Sequence, residues 1–235
     1  MILLNLDQLL ANPSGFLLFI ILSVIALVAG FTVHEFSHAL TAHGEGDATA
    51  RRMGRLTLNP IKHVDWLGFA LILFVGFGWA KPVQVDPYNL RHGRLGMAWV
   101  ALAGPLSNFV LAFLFGLLLR FDALTVGRHL PVYGDVTGLF GLIVFLLVFF
   151  NLMLGIFNLI PIPPLDGSKV LGGLLPDALY YPYLQFERYG WLVLLGLIGV
   201  SLALSYTTDI NLLAMVLLPP VEFMLELATG GKVPF

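Results

Sequence analysis

The chain has 235 residues, of which 58% are hydrophobic and 11% are charged. Soluble domains carry about 25% charged residues, so this chain has too few charges to cover a soluble globule. The same composition excludes disordered, coiled-coil and collagen-like chains. A net charge of −2 gives no sign of nucleic-acid binding, and the absence of Cys excludes disulfide scaffolds, Cys zinc sites and thiol nucleophiles. The class that remains is a polytopic membrane protein.

Four apolar segments are long enough to cross a bilayer, which takes about 20 residues. They cover residues 15–33, 95–119, 136–159 and 189–208. Asn12-Pro13 is expected to start the first helix, because Asn is a preferred cap and Pro suits the first turn. Pro161 and the two prolines that follow it are expected to end the third helix near Leu159.

Two apolar segments are shorter, and we leave their relation to the membrane open. Residues 66–80 contain Gly68, Gly76 and Gly78 and suit a re-entrant or interfacial piece rather than a span. Residues 210–221 meet Pro219-Pro220 and fit a short or tilted last helix. The sequence therefore predicts an all-α polytopic membrane protein with about four to six transmembrane helices.

The distribution of positive charge predicts the orientation. Residues 44–65 and 81–94 together hold seven Lys and Arg side chains, whereas the loop over 120–135 holds only Arg120 and Arg128. Loops rich in Lys and Arg stay in the cytoplasm, so the first two loops are expected there. The segment 66–80 between them should then return to the side from which it came.

The sequence His34-Glu35-Phe36-Ser37-His38 has the form H-E-x-x-H. On a helix, positions i and i+4 share a face, so both imidazoles can bind one metal ion. Glu35 lies beside that face, where a general base for an attacking water is needed. The alternative is a pair of hydrogen-bonded helix histidines. The place of the motif at the end of an apolar span argues against it, because ionisable groups in a membrane are costly.

Two histidines leave a catalytic zinc ion one protein ligand short. The candidates for the third ligand are His43, Asp47, His63, Asp65, Asp166, Glu222 and Glu226. Asp166 is favoured, because a lone carboxylate that closes a long apolar run needs a partner such as a metal. The alternative is that Asp166 caps a helix starting at Gly167–Ser168.

These motifs resemble those of the site-2 protease family, the intramembrane zinc metalloproteases of peptidase family M50. The family's N-x-x-P-x-P-x-x-D-G signature matches the chain from Asn158 to Gly167 without a gap. Further matches to its compact bacterial and archaeal branch are Gly54–Pro60, His63-x-Asp65, Gly78–Val83 and Gly104–Asn108. Nothing in the chain resembles the PDZ or CBS domains of other branches.

The resemblance implies one zinc ion per chain, held by His34, His38 and Asp166, with Glu35 as the catalytic residue. It implies a three-helix catalytic core and a re-entrant β segment at about residues 67–85. We expect one membrane-embedded protease domain over residues 1–235, with its core at about 12–175 and C-terminal helices at about 186–228. The expected partners are a transmembrane protein substrate and the bilayer of the cell membrane, with the active site near its cytoplasmic face.

Several other polar residues remain open to two interpretations. By resemblance, Asn158 binds or polarises the scissile carbonyl; otherwise it joins two helices. Asn108 lies beside the small residues Gly104 and Ser107 and is interpreted as a helix–helix contact. His63 and Asp65 either orient the metal ligands or brace a loop.

Two rival functions are compatible with the motifs. A protease of another type would take its third ligand from Glu222 or Glu226, although the chain offers no soluble catalytic domain to hold them. A transporter or metal-binding protein would use the His and Asp side chains as an ion site. Such a protein would not need the chemistry of Glu35.

Overall fold

The computed structural model of the protein describes residues 6–75, 78–121, 136–208 and 210–231. Gly76 and Arg128, which entered the predictions above, lie outside these ranges. Within them the chain forms ten α-helices: α1 (Leu6–Ala11), α2 (Pro13–Gly44), α3 (Thr49–Arg52), α4 (Trp66–Val75), α5 (Gly93–Arg120), α6 (Val136–Asn158), α7 (Asp166–Leu174), α8 (Asp177–Glu187), α9 (Gly190–Thr208) and α10 (Leu212–Thr229). Short 3-10 turns occupy Pro60–Lys62 and Pro87–Asn89.

Five of these helices are long and apolar enough to cross a membrane, namely α2, α5, α6, α9 and α10. The predicted all-α polytopic class is therefore confirmed, and the protein is a multi-pass membrane protein. The first four correspond to the four predicted segments. The fifth, α10, has 18 residues, so the last apolar segment is longer than its sequence pattern indicated.

The ends of α2 and α6 follow from local sequence. The Asn12 side chain accepts a hydrogen bond from the Gly15 backbone N–H at 3.1 Å, which caps the start of α2. Helix α6 ends at Asn158, three residues before Pro161. Helix α10 instead continues through Pro219-Pro220, because helices in a membrane tolerate proline where neighbouring groups compensate for the lost hydrogen bonds.

The region expected to be a re-entrant β segment begins with a helix. Helix α4 has ten residues, or about 15 Å, which is half the thickness of the hydrocarbon core. Asp65 starts it by accepting hydrogen bonds from the backbone N–H groups of Leu67 and Gly68. The described part of the chain contains no β-strand, so the β segment predicted within 67–85 is not found there. A strand needs a second strand to satisfy its backbone. The Lys81 N–H donates to the His63 carbonyl at 2.8 Å, but the described residues 78–86 form no ladder of such bonds.

Helices α2, α5 and α6 pack against one another and form the centre of the molecule. Helix α10 completes this core, where Val221 and Leu225 join an apolar cluster with residues of α5 and α6. The end of α10 lies beside the end of α5, since Arg120 Nη1 donates to the Leu227 carbonyl at 2.7 Å. The C-terminal ends of α5 and α10 therefore lie together.

Candidate active site

The H-E-x-x-H motif lies in the last three turns of α2, where His34 and His38 are one turn apart on a buried face. Their ring centroids are 4.6 Å apart and the rings are nearly perpendicular, at 88°. Helix α5 approaches both rings closely. A side chain at Gly104 would place its Cβ only 2.5 Å from the His38 ring and 2.7 Å from the His34 ring, so this approach requires glycine.

Asp166 completes a cluster with the two histidines. Its Oδ2 atom lies 3.0 Å from His34 Nε2 and 3.2 Å from His38 Nε2. The chain turns sharply from α6 to α7 at this point, and a Cβ at Gly167 would lie 2.2 Å from the Leu159 carbonyl oxygen. Asp166 is the first residue of α7, preceded by Leu165 at the cap position. Its carboxylate faces the histidines, and the helix-cap interpretation is not observed.

Hydrogen bonds at the far side of each ring fix the histidine tautomers. His34 Nδ1 lies 2.6 Å from Asn108 Oδ1, and His38 Nδ1 lies 2.7 Å from the Val100 carbonyl oxygen. Both oxygens accept, so each Nδ1 carries the proton. The Nε2 atom of each ring faces Asp166 Oδ2 and is the atom available to a metal ion.

The donor set fits a catalytic zinc ion. One ligand atom from each of His34, His38 and Asp166 lies within 4.8 Å of the others, and all three residues are buried. Ligands about 2.1 Å from a tetrahedral zinc ion are about 3.4 Å from one another, close to the distances found here. Two imidazoles and one carboxylate leave the fourth position open, as in catalytic zinc sites.

The charge state of Asp166 suits a ligand. Burial alone would raise the pKa of this carboxyl, but the two neighbouring histidines lower the pKa well below its ordinary value. The group is therefore a carboxylate at neutral pH.

Glu35 is buried but does not belong to the ligand cluster. Its Oε2 atom accepts a hydrogen bond from the Val83 backbone N–H at 2.9 Å. The positive charge of Arg55 is close enough to interact with this carboxylate. Arg55 is itself buried and donates to the backbone carbonyl groups of Lys62 and Lys81. Glu35 thus faces the chain after α4, which Arg55 holds in place.

The other predicted candidates lie elsewhere. Asn158 Nδ2 donates to the Leu154 carbonyl one turn back at 2.9 Å. His63 Nε2 donates to the Thr57 carbonyl, and Asp65 bonds the start of α4, so these two residues brace a loop. His43 lies near Arg51.

Asn108 and Asn151 were not identified as site residues from the sequence. Asn108 bonds His34 directly, and Asn151 bonds Asn108, so the first is more than the helix contact predicted for it. Arg55 belongs to a matched motif, but its contacts with two carbonyl groups could not be read from it. For Asn108 and Asn151 the sequence did offer a signal. An amide within an apolar span is costly to bury, which indicates a specific partner.

Comparisons with known proteins agree with this chemistry. The profile of peptidase family M50 matches residues 134–198, which include Asn158 and Asp166. A Bacillus subtilis protein named "Putative zinc metalloprotease YwhC" is 42% identical over 175 residues, or 74% of this chain and 78% of the relative. MJ0611 of Methanocaldococcus jannaschii has the same description and is 35% identical over 159 residues, or 68% of this chain and 73% of the relative.

Rip2 of Mycolicibacterium smegmatis, also described in this way, is 29% identical over 195 residues, or 80% of this chain and 70% of the relative. No solved structure matches the chain. Fold and comparisons together define a membrane-embedded metalloprotease with zinc as its cofactor. The chain belongs to peptidase family M50, the site-2 protease family. This membership favours the protease over the transporter considered above.

Proposed function

We propose that the protein is an intramembrane protease, which hydrolyses peptide bonds within or near the transmembrane segments of other membrane proteins. The observation that carries this proposal is the buried cluster of His34, His38 and Asp166, with Glu35 beside it, at the ends of two apolar helices. A soluble substrate would have no reason to meet a site built on such helices. The whole chain, residues 1–235, acts as one membrane-embedded domain.

In this proposal His34, His38 and Asp166 hold the zinc ion. Bound zinc lowers the pKa of a water molecule and polarises the substrate carbonyl. Glu35 accepts the proton of the attacking water on its carboxylate and later gives it to the leaving amine. Its Oε2 atom stays bonded to the Val83 N–H, which leaves Oε1 for the proton.

Asn158 is proposed to bind the oxygen of the scissile carbonyl. Its side-chain N–H donates to Leu154 in the described structure, so the amide must turn to reach the substrate. A donor aimed at a developing oxyanion contributes about 2.7–4 kcal/mol to catalysis, more than one ordinary hydrogen bond within a helix. The gain would therefore exceed the cost of breaking the hydrogen bond to Leu154.

The substrate segment must unwind before it is cut, because a helix shields its own amide groups. The non-helical residues 80–86 run past Glu35 and offer backbone groups beside which an extended substrate can lie. The loops rich in Lys and Arg support a position of this end of the molecule at the cytoplasmic face of the cell membrane. Water reaches the site from that face.

The test compares the wild-type protein with Glu35→Gln in liposomes that contain a model transmembrane substrate. Wild-type protein should cut the substrate, and the variant should bind zinc but lose cleavage, because only the group that transfers the proton is changed. Glu222→Gln, which alters an exposed glutamate of α10, is the matched control and should cut normally. Equal cleavage by Glu35→Gln would refute the role of Glu35. Cleavage of soluble peptides alone would refute the intramembrane substrate.

A further inference from the structure

A chain of hydrogen bonds crosses three helices behind the metal-ligand cluster. His34 on α2 bonds Asn108 on α5, and Asn108 Nδ2 lies 2.7 Å from Asn151 Oδ1 on α6. Both asparagines are completely buried, with no exposed surface. Two buried amides within apolar helices are costly unless every polar atom has a partner. The partners therefore decide which way each amide faces.

A backbone carbonyl at the far end of this chain of hydrogen bonds sets the donor-to-acceptor direction of the bonds. The Leu147 carbonyl only accepts, so the Asn151 Nδ2 group must face it, at 2.8 Å. Asn151 Oδ1 is then the atom that faces Asn108. Asn108 Nδ2 donates one hydrogen to this oxygen and the other to the Gly30 carbonyl at 3.2 Å.

Both N–H groups of Asn108 are thereby used, and only its Oδ1 atom is left for His34. His34 must carry a proton on Nδ1 to donate to that oxygen, and its Nε2 atom, the one available to a metal ion, faces Asp166 Oδ2 at 3.0 Å. His38 differs, because a backbone carbonyl, that of Val100, holds its Nδ1 directly. Of the two histidines, only His34 has its Nδ1 atom held by a side chain.

We propose that Asn151 is a positioning residue of the metal centre, which fixes the amide of Asn108 and through it the tautomer and ring orientation of His34. Asn151 does not touch the ligand cluster itself. The inference rests on the proposed role of His34 as a zinc ligand. The competing interpretation is that Asn151 only joins α6 to α5.

The first test measures zinc affinity in purified full-length protein by competition with a chromophoric chelator. Asn151→Leu keeps the branched side-chain shape but leaves Asn108 without its acceptor, and zinc should bind about 10–100-fold more weakly, as for other residues behind metal ligands. Leu152→Ala is the matched control, since it removes an equally buried side chain at the next position of α6. It should lower thermal stability and leave zinc affinity unchanged.

A conservative variant separates positioning from packing. Asn151→Asp, if buried and protonated, keeps a carbonyl oxygen for Asn108 and an O–H for the Leu147 carbonyl, so zinc affinity should return to near the wild-type value. The visible spectrum of the cobalt-substituted protein should change in Asn151→Leu and be normal in Asn151→Asp. This spectrum reports ligand geometry and needs no substrate.

A double variant tests whether Asn151 acts through Asn108. Adding Asn151→Leu to Asn108→Ala should cost no further zinc affinity, because the link is already broken. Additive losses of zinc affinity in the double variant would overturn the inference. A wild-type zinc affinity and cobalt spectrum in Asn151→Leu would overturn it as well. Neither outcome would affect the proposed protease function. If His34→Ala itself retained wild-type zinc affinity, both the inference and the proposed metal site would fail.

Discussion

The Nε2 atom of His34 and the Oδ2 atom of Asp166 lie 3.0 Å apart, although 132 positions separate them in the chain. One lies near the C-terminal end of α2 and the other just after the C-terminal end of α6. Two helix ends on the same side of a membrane require an even number of crossings between them. Helices α5 and α6 supply two, so α4 does not cross.

This topology can be checked by labelling single cysteines, since the chain has no native Cys. Lys62 and Tyr88 flank α4 and are exposed, with Tyr88 97% exposed. Cysteines at both positions should react with an impermeant reagent from the same face. Phe121, at the other end of α5, is the control and should react from the opposite face. Labelling of Lys62→Cys and Tyr88→Cys from opposite faces would contradict both the topology and the proposed zinc ligands.

Asp166→Ala should abolish stoichiometric zinc binding, because it removes one of three protein ligands. The wild-type protein should contain close to one zinc ion per chain by elemental analysis. Asp177→Ala removes an exposed carboxylate that pairs with Arg94 and should keep its zinc. Full zinc content and activity in Asp166→Ala would refute its role as a ligand.

Asn158→Ala should lower turnover by about 10²–10³-fold and leave zinc bound, because the amide is proposed to act on the carbonyl and not on the metal. Steady-state cleavage and zinc content of the same preparation give the two values. Poor folding, with normal specific activity in the protein that survives, would instead assign Asn158 to its helical bond with Leu154.

Arg55→Lys should loosen the loops beside Glu35. A guanidinium group can donate to the Lys62 and Lys81 carbonyls at once, whereas an ammonium group cannot reproduce that geometry. Hydrogen bonds from a charged donor contribute about 1.5–3 kcal/mol, so faster hydrogen exchange is expected across residues 55–85. Arg51→Lys changes an exposed arginine and should leave exchange as it is. Unchanged exchange in Arg55→Lys would show that the loops do not depend on this tether.

Acidification should destabilise the loop around Asp47. Burial alone would raise the pKa of this carboxyl, but hydrogen bonds from the Thr49 hydroxyl, the Asp86 N–H and the Asn89 amide lower the pKa below its ordinary value of 3.8. A carboxyl whose pKa is lower in the folded than in the unfolded state stabilises the protein when the pH is above its unfolded-state pKa. That stabilisation is lost as the pH falls through the folded-state pKa. Asp47→Asn should be less stable than wild type at neutral pH, and the difference should shrink below about pH 4 in thermal unfolding. A pH-independent difference would assign the effect to packing.

The sequence by itself determined the features that depend on composition and local spacing. Apolar length gave the helices of the bundle, and the four-residue spacing of His34 and His38 placed two imidazoles on one helix face. Asn12 and Pro161 marked helix ends for reasons that lie within a few residues of each. The spacing of the signature around Asp166 gave the family, and the comparisons confirm it.

Only the tertiary structure decided how distant segments meet. Asp166 was one of several carboxylates in the sequence, and packing of α6 against α2 brings it to the histidines. Asn108, Asn151 and Asn158 are similar amides in apolar helices, yet the first two connect to His34 and the third bonds its own helix. The described residues of 67–85 form no β-strand, contrary to the prediction, and the last helix extends past its prolines. Strand pairing and compensation for proline both depend on neighbours distant in the chain.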